Sequence, residues 1–292
     1  MSIFSEHDPI FLEPQITRES AWLEHIPFMF WITNALKPKL FVELGVHYGV
    51  SFFAFCQAVV RFGLTSKAIA IDNWIGDKQA GYFENNVFED FIKNLNSYSS
   101  MASYIRADFD KALIEIKNES VDFAHIDGFH SYDAVKSDFE NIFPKLKSNG
   151  VLLFHDTHEK AEGYGVYRFW DEIKGKYHTR EFSFGHGLGI AFLSTDLSLY
   201  PDEIKSFILD DEYFNSISAQ VMRQGKLISQ DFNIQQLEIT KKIYTNEINK
   251  LRSDLIKYDY MLKDVFSSNS WKLTGWLRGI IRIMRKFKKK IS

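Results

Sequence analysis

Between residues 39 and 195, short β-rich apolar runs alternate with segments of helical periodicity. This alternation restricts the possible folds more than any other feature of the sequence. The early runs are continuously apolar, as expected for parallel strands with helices on both faces. The last two runs have no helix between them and predict an antiparallel hairpin at the sheet edge. We therefore predict an α/β fold, a Rossmann-like, doubly wound, mostly parallel sheet. Its seven strands are LFVELGV (40–46), AIAIDNW (68–74), SYIRAD (103–108), VDFAHID (121–127), GVLLFHD (150–156), TREFSF (179–184) and GLGIAFLS (187–194).

The segments on either side of this region have a helical pattern. We predict an N-terminal helical segment over residues 1–38, the α/β domain over 39–200 and a helical connector over 201–232. Over 233–265 a seven-residue repeat predicts a C-terminal α-helical coiled coil, and thus a homo-oligomer. A single amphipathic helix packed on its own domain is the alternative. The repeat consists of Leu237, Tyr244, Leu251, Tyr258 and Val265, with Ile248, Leu255 and Leu262 in the complementary positions.

The charge is distributed unevenly. Eight of the 35 basic residues and no acidic residue lie in the basic tail, residues 266–292. The rest of the chain therefore holds 27 basic and 38 acidic residues, a net charge of −11. The eight positive charges of the tail bring the overall net charge to −3. Basic residues interleaved with Trp271, Trp276 and several isoleucines favour contact with an anionic membrane surface. A solvated helix end or adventitious RNA binding is the alternative.

Composition excludes several classes. With 45% hydrophobic residues the chain is too apolar to be disordered, and its single cysteine, Cys56, excludes a disulfide framework or a cysteine-rich zinc module. No uncharged run approaches the ~20 residues of a transmembrane helix, and the first residues do not resemble a signal peptide. We expect a cytoplasmic protein, peripheral at the inner face of the membrane, without a nucleic-acid partner.

A glycine-containing turn follows the first predicted strand. Glu43, Gly45 and Gly49 form E-x-G-x-x-x-G between a strand and a helix. Glycines allow close backbone approach, and a helix N-terminus favours an anionic group, so the turn suits a ligand that carries both ammonium and carboxylate. A tight turn that needs glycine for its own geometry is the alternative.

Acidic residues end the next two predicted strands. Asp72 ends the second strand and is suited to bind ribose hydroxyls, while Trp74 is suited to cover a purine. Asp108 ends the third and is placed to receive an exocyclic amine. Together they predict a nucleoside across the sheet edge; taken singly, each could be a solvated loop carboxylate.

Histidines and aspartates cluster after the fourth and fifth predicted strands. Because the ends of both strands meet at one sheet edge, we expect these side chains to converge. Carboxylates and imidazoles bind divalent cations, and imidazole also accepts protons near neutral pH. His125 is expected in the strand core and His158 on the surface. The converging set is Asp127, His130, His155, Asp156 and His158.

The motifs VELGVHYGVSF, HIDGFHSYDAV and LFHDT resemble class I S-adenosylmethionine-dependent methyltransferases. The resemblance covers about residues 38–195 and is nearest to the bacterial methyltransferase domain-24 type, related to sugar and catechol-like O-methyltransferases. It implies an S-adenosylmethionine cofactor. The residues implied for the cofactor are Glu43, Gly45, Gly49, Ser51, Asp72, Trp74 and Asp108.

The same resemblance implies Mg²⁺ or Mn²⁺ at Asp127 and Asp156, with His155 as a further ligand. Catechol-type relatives place a lysine base where this chain has His130. His130 and His155 are therefore the candidate bases, with Asp127 as the third catalytic residue.

The basic tail contains S-x-SW-x-LT-x-x-LR, which resembles tails of bacterial enzymes of surface-polysaccharide assembly, although Trp276 stands where those usually have proline. We therefore predict an O-methyltransferase that methylates a sugar hydroxyl in bacterial surface-glycan biosynthesis. Two alternatives remain, a non-catalytic membrane-proximal scaffold and a metal-dependent hydrolase or hydroxylase using the His/Asp cluster.

Overall fold

A computed structural model describes residues 8–77, 81–83 and 85–291. Its nine strands are β1 (Leu40–Leu44), β2 (Lys67–Asp72), β3 (Gly76–Asp77), β4 (Gly81–Tyr82), β5 (Ala102–Arg106), β6 (Val121–Ile126), β7 (Leu146–His155), β8 (His178–Phe182) and β9 (Leu188–Phe192). The ten α-helices are α1 (Ile26–Leu36), α2 (Val50–Arg61), α3 (Asn85–Leu95), α4 (Phe109–Ala112), α5 (Tyr132–Ile142), α6 (Val166–Lys174), α7 (Asp202–Leu209), α8 (Asp211–Ser267), α9 (Asn269–Leu273) and α10 (Gly275–Ile291).

Seven strands form one sheet in the order β5-β2-β1-β6-β7-β9-β8. The first five are parallel, β9 runs antiparallel to β7, and β8 is antiparallel to β9. The predicted Rossmann-like sheet with its antiparallel edge hairpin is therefore confirmed. The short β3–β4 hairpin is a separate sheet that the sequence did not reveal. Crossover helices return each parallel strand to the same edge, so that the carboxyl ends of β1, β2, β6 and β7 lie together.

Large aromatic side chains fill the core on one face of the sheet. Helix α1 packs there against α2, and Phe41, Phe55 and Phe123 stack with ring centroids 4.4–6.3 Å apart. The N-terminal segment and the start of α8 belong to this core, where Trp22, Trp31 and Val221 are at most 1% exposed. A short 3₁₀ turn, Ala21–His25, precedes α1 and lies beneath the sheet edge.

One glycine makes this packing possible. A Cβ at Gly225 of α8 would lie 2.0 Å from the Glu24 carbonyl oxygen, so that helix backbone and 3₁₀ turn touch directly. Because any larger side chain would push the two apart, Gly225 fixes α8 against the turn that carries Trp22 and His25.

The chain divides into two compact units, one up to Phe232 and one from Asn233 onward. The second unit contains most of α8 and all of α9 and α10, and its large apolar side chains are exposed, for example Leu237 at 69% and Leu255 at 68%. The predicted helix over 233–265 is present, whereas its pairing as a coiled coil remains a prediction. Among the described residues, no helix is both long and apolar enough to cross a bilayer.

Candidate active site

The site lies at the carboxyl edge of the parallel strands. Glu43 on β1 pairs in register with Ala70 on β2 and His125 on β6, and Ile126 pairs with Phe154 on β7. The loops that follow these strands therefore begin at the same level, and they carry the predicted polar residues. The parallel topology thus explains why residues more than 100 positions apart converge.

The glycine turn after β1 is built against the loop after β6. Gly45 has a φ of +85°, and a Cβ there would lie 2.0 Å from the carbonyl oxygen of Asp127. Gly49 has a φ of +81°, and a Cβ there would lie 2.6 Å from the Phe53 ring. Both glycines are therefore required by the turn itself, which brings the start of α2 beside Asp127.

Asp72 holds this turn in place. Its Oδ2 accepts hydrogen bonds from the backbone N–H groups of Val46 (2.8 Å) and His47 (2.9 Å). Its Oδ1 accepts from the Trp74 N–H at 2.7 Å. The carboxylate thus shapes the turn after β1 through three accepted hydrogen bonds, and ribose binding by Asp72 stays a prediction.

Trp74 lies in the core beneath the sheet edge. The side chain is 2% exposed, packs against Phe88 and Phe91 with ring centroids 5.0 and 4.8 Å away, and donates from Nε1 to the His47 carbonyl. The expectation that its ring faces a purine is therefore corrected. Burial of a large aromatic surface in the α3 contact outweighs exposure at the sheet edge.

A shallow cleft lies at the ends of β2 and β5. It is bordered by Asp108, whose carboxylate accepts hydrogen bonds from Lys111 Nζ at 2.6 Å and Asn73 Nδ2 at 3.2 Å. These hydrogen bonds lower the pKa of Asp108, the larger effect coming from Lys111. The charged carboxylate is 51% exposed and open to a ligand. The cleft is lined by Asn73, Ile75, Arg106, Ala107, Asp108 and Lys111.

A buried chain of polar groups runs beneath the glycine turn. Ser51 Oγ donates to Glu43 Oε1 at 2.5 Å, and His125 Nδ1 lies 3.6 Å from the same oxygen. Trp22 Nε1 donates to His125 Nε2 at 3.1 Å, which places the His125 proton on Nδ1, facing Glu43. Burial raises the pKa of Glu43, while the His125 contact opposes that rise.

Glu43 retains one oxygen without a partner. Glu43 Oε2 is buried and has no hydrogen bond within the part of the chain that the structure describes. An unpaired buried carboxylate oxygen is costly, and a cationic group delivered by a ligand is one way to satisfy it. This feature fits the ammonium-binding role predicted for Glu43, although the side chain itself is fully buried.

Two carboxylates and an imidazole meet after β6 and β7. His130 Nε2 lies 2.9 Å from Asp156 Oδ2 and 3.5 Å from Asp127 Oδ1. One ligand atom from each of the three residues lies within 4.8 Å of the others, as a shared cation requires. The Tyr164 ring stacks on His130 at 5.1 Å and restricts its orientation. The O, N, O donor set suits Mn²⁺, Fe²⁺ or Zn²⁺ and, less well, Mg²⁺.

Ion pairing dominates the electrostatics of this cluster. Burial alone would lower the pKa of His130, but hydrogen bonds to Asp127 and Asp156 raise it to about 10. Burial would likewise raise the pKa of Asp127, yet the neighbouring His155 and His130 hold it well below its usual range. Without a cation, His130 is therefore a proton-carrying imidazolium at neutral pH, and a cation would have to displace that proton.

His155 lies behind this group. Its side chain is 3% exposed. Its Nδ1 lies 3.2 Å from Asp127 Oδ1 and 3.4 Å from Asp156 Oδ1. Its Nε2 lies 3.2 Å from the Gly185 carbonyl oxygen. A carbonyl only accepts, so the Nε2 proton is fixed and Nδ1 faces the carboxylates. His130 thus lies with Asp127 and Asp156 in the possible ligand group, and His155 faces the same two carboxylates from the buried side.

The N-terminal segment contributes residues that the sequence did not single out. His25 Nε2 lies 3.0 Å from the same Gly185 carbonyl, and its ring is 5.5 Å from that of His155. Burial lowers the pKa of His25 to about 3, with His155 acting in the same direction. Trp22 and His25 are therefore uncharged side chains that pack against His155, on the buried side of the charged cluster. Polar rings within an otherwise apolar helical segment were the available signal.

Two other features complete the geometry. His158, expected on the surface, is half-exposed and pairs with Glu181 on β8 at 3.3 Å, apart from the three-ligand group. Asp156 has a φ of +60°, in the left-handed region that non-glycine residues seldom adopt. Such strain is typical of functional sites, and here it points the carboxylate towards His130.

The segment that carries this site matches a known protein family. Residues 42–157 match the model of a family described as a methyltransferase domain. This segment contains the glycine turn, Asp72, Asp108 and the Asp127–His130–Asp156 group. Together with the strand order described above, the match agrees with the predicted resemblance of this segment to methyltransferase domains.

Among whole proteins, the uncharacterized protein y4gI of Sinorhizobium fredii is 38% identical over 207 residues, which cover 71% of this chain but 22% of that protein. The chain therefore spans about a fifth of the length of this relative. A Staphylococcus aureus structure, provisionally described as a caffeoyl-CoA O-methyltransferase, is 16% identical and covers 62% of this chain and 86% of its own, with a TM-score of 0.47.

The O-methyltransferase TomG from Streptomyces achromogenes, solved with S-adenosylmethionine, is 13% identical over 62% of this chain and 83% of its own, with a TM-score of 0.45. At these low scores, the strand order is the stronger indication of the fold.

Proposed function

We propose that the protein is a metal-assisted O-methyltransferase that uses S-adenosylmethionine to methylate a sugar hydroxyl in surface-glycan biosynthesis. The observation that carries the proposal is the Asp127–His130–Asp156 group, which lies against the glycine turn of a methyltransferase domain. A group of cation ligands beside a cofactor turn suits chemistry in which an acceptor oxygen must be oriented towards a methyl donor.

The residues present fit the cofactor. The unpaired Glu43 Oε2 suits its ammonium, and the exposed carboxylate of Asp108 and the amide of Asn73 suit the adenosine end. Bound S-adenosylmethionine would supply the methyl group. Asp72 would act through the backbone of Val46 and His47, by holding the turn in its binding conformation.

The residues also fit a divalent cation, held by Asp127, His130 and Asp156. Such an ion would lower the pKa of a coordinated hydroxyl and so make it a better nucleophile. His155 Nδ1 faces the same two carboxylates and is held in place through Gly185. We assign His155 to orient Asp127 and Asp156 and to take up the hydroxyl proton through them.

A sugar acceptor is supported by the resemblance of the basic tail to tails of surface-polysaccharide enzymes. Partly exposed polar side chains border the cluster near the β8–β9 hairpin, as two histidine–carboxylate pairs, His158 with Glu181 and His186 with Glu159. Alternating donors and acceptors of this kind suit the several hydroxyls of a sugar ring. The acceptor and the pathway are part of the proposal.

We also propose that the helix over 233–265 pairs with a second copy of the chain as a coiled coil. The repeat positions Ile248, Leu251, Tyr258 and Leu262 are 49–62% exposed. A seven-residue repeat keeps one apolar seam facing a partner helix over several turns, which a helix packed on a globular surface does not require. In a parallel pair, Glu247 lies where it can meet Arg252 of the partner subunit.

Three measurements test the enzymatic proposal. Calorimetry should show S-adenosylmethionine binding to the wild-type protein, and electron paramagnetic resonance should show one bound Mn²⁺. A methyl-transfer screen against nucleotide sugars and glycan extracts should identify the acceptor. In the absence of metal, Asp127→Asn should bind S-adenosylmethionine as the wild type does. It should weaken Mn²⁺ binding at least tenfold and lower transfer roughly a hundredfold or more. Asp133→Asn, an exposed change on α5, is the matched control.

Each rival has its own outcome. A wild-type protein that binds no S-adenosylmethionine contradicts the proposal. Turnover of an acceptor without the methyl donor supports a hydrolase or hydroxylase. An Asp127→Asn strain with an unchanged glycan phenotype supports a scaffold that acts without catalysis.

A further inference from the structure

The basic tail forms a helix with two distinct faces. At ~100° per residue, the apolar side chains of α10 from Gly275 to Arg285 fall within an arc of roughly 160°, and the arginines fall on the opposite side. The apolar side chains are 43–66% exposed, so that none of them is buried by the protein itself. They are Trp276, Leu277, Ile280, Ile281, Ile283 and Met284.

The opposite face carries only positive charge. Arg282 and Arg285 are exposed on it, and no acidic residue lies anywhere from residue 266 to 292. Arg278 is used differently, because its guanidinium lies 3.6 Å from the Trp271 ring centroid and donates to Thr274 Oγ1 at 2.6 Å. Arg278 thereby links α9 to α10 and orders the start of the amphipathic helix.

We propose that α10 lies flat on a membrane that contains anionic lipid, with its isoleucines among the acyl chains and its arginines at the headgroups. Charge complementarity selects this occupant. A second copy of α10 packed on the apolar face would leave both cationic faces without a counter-charge, and a nucleic acid would leave the apolar face in water. An anionic lipid surface satisfies both faces simultaneously. The helix is too polar to span the bilayer, in agreement with the absence of a spanning helix among the described residues.

This inference does not depend on the proposed reaction. A chain that binds membranes but transfers no methyl group would contradict the proposed function and support the membrane inference. An active methyltransferase that does not bind vesicles would support the function and contradict the membrane inference. If both hold, the acceptor is expected to be presented at a membrane surface.

Vesicle flotation of the full-length chain tests the inference. The protein should float with vesicles of 70% phosphatidylcholine and 30% phosphatidylglycerol. It should remain in the bottom fraction with vesicles of phosphatidylcholine alone. A higher salt concentration should weaken binding to the anionic vesicles. Ile280→Ser with Ile283→Ser should lower binding roughly tenfold, as should Arg282→Gln with Arg285→Gln. Ile114→Ser, at an isoleucine 79% exposed in the first unit, and Arg223→Gln, at an exposed arginine of α8 in the same unit, are the matched controls.

The tryptophans provide a second readout in the same samples. Trp22, Trp31, Trp74 and Trp170 are at most 2% exposed, whereas Trp271 and Trp276 lie on the surface of the tail. Brominated lipid should therefore quench only the tail fluorescence. Equal binding to neutral and anionic vesicles overturns the proposal. The proposal is also overturned if both tail variants bind vesicles as the wild type does, or if the chain binds an RNA oligonucleotide but no vesicle. A change in the sedimentation of the tail variants without a change in their flotation overturns it as well.

Discussion

The two units of the chain use apolar residues in opposite ways. Up to Phe232, most of the large aromatic side chains are buried, and the polar groups inside are mostly paired, as in the contact of Trp22 with His125. From Asn233 onward, leucines, isoleucines and tyrosines lie mostly exposed along helices. The first unit therefore contains its own core, whereas the second requires a surface from elsewhere.

This difference separates the tests of the two units. A change where the core of the first unit meets the site should alter its unfolding and its ligand binding together, because core and site share residues there. A change on the helical unit should alter association alone, because sites that share no contacts contribute independently to stability.

The largest effect is expected at Gly45. Gly45→Ala places a Cβ 2.0 Å from the Asp127 carbonyl at a φ of +85°. It should lower the free energy of unfolding by about 3 kcal/mol or more and weaken S-adenosylmethionine binding. Gly63→Ala, at a φ of +62° with nothing within 4 Å, should cost about 1 kcal/mol and leave binding intact. Thermal unfolding and calorimetry give both values, and equal effects of the two changes would refute this account of the turn.

A second prediction concerns the helix. Leu251→Asp combined with Leu255→Asp places charges in the proposed seam, so that the chain should sediment as a smaller species while its first unit melts unchanged. Asn249→Asp combined with Ser253→Asp adds the same charge on the outer face and should keep the wild-type sedimentation. A seam variant that melts earlier but sediments like the wild type would show that the helix packs on its own domain.

The smallest effect depends on pH. Burial raises the pKa of Asp138 from 3.8 to about 7, and Asp110 adds to this rise. Because the folded state holds this proton more tightly, the stabilisation is complete below pH ~4 and is lost as the pH rises through about 7. Asp138→Asn should therefore raise the melting temperature by a few degrees at pH 8 and by less at pH 4.5. A gain of equal size at both pH values would exclude titration of Asp138 as its cause.

Much of the fold followed from the sequence, because apolar runs between helical segments encode a parallel sheet directly. All seven predicted strands are present, and the convergence of Asp127, His130 and Asp156 follows from the topology. The roles of individual side chains could not be read in this way. Trp74 at a strand end is equally compatible with a ligand and with a core, and only the position of α3 decides between them.

The residues behind the site were hidden for another reason. Trp22 and His25 lie about 100 residues or more from the side chains they contact, and no local pattern connects them. The same holds for the Gly185 carbonyl, a backbone group whose residue type reveals nothing about its hydrogen bonds. Such contacts appear only when a fold brings distant segments together.

The contact between Gly45 and the Asp127 carbonyl also has a thermodynamic meaning. The turn proposed to hold the methyl donor and the loop proposed to hold the cation touch without an intervening side chain, so neither can move without displacing the other. Binding of the cation should therefore change the affinity for the methyl donor. By thermodynamic reciprocity, binding of the methyl donor should change the affinity for the cation by the same factor. In such an enzyme, the metal concentration sets the apparent affinity for the methyl donor, so that supply of one ligand regulates use of the other.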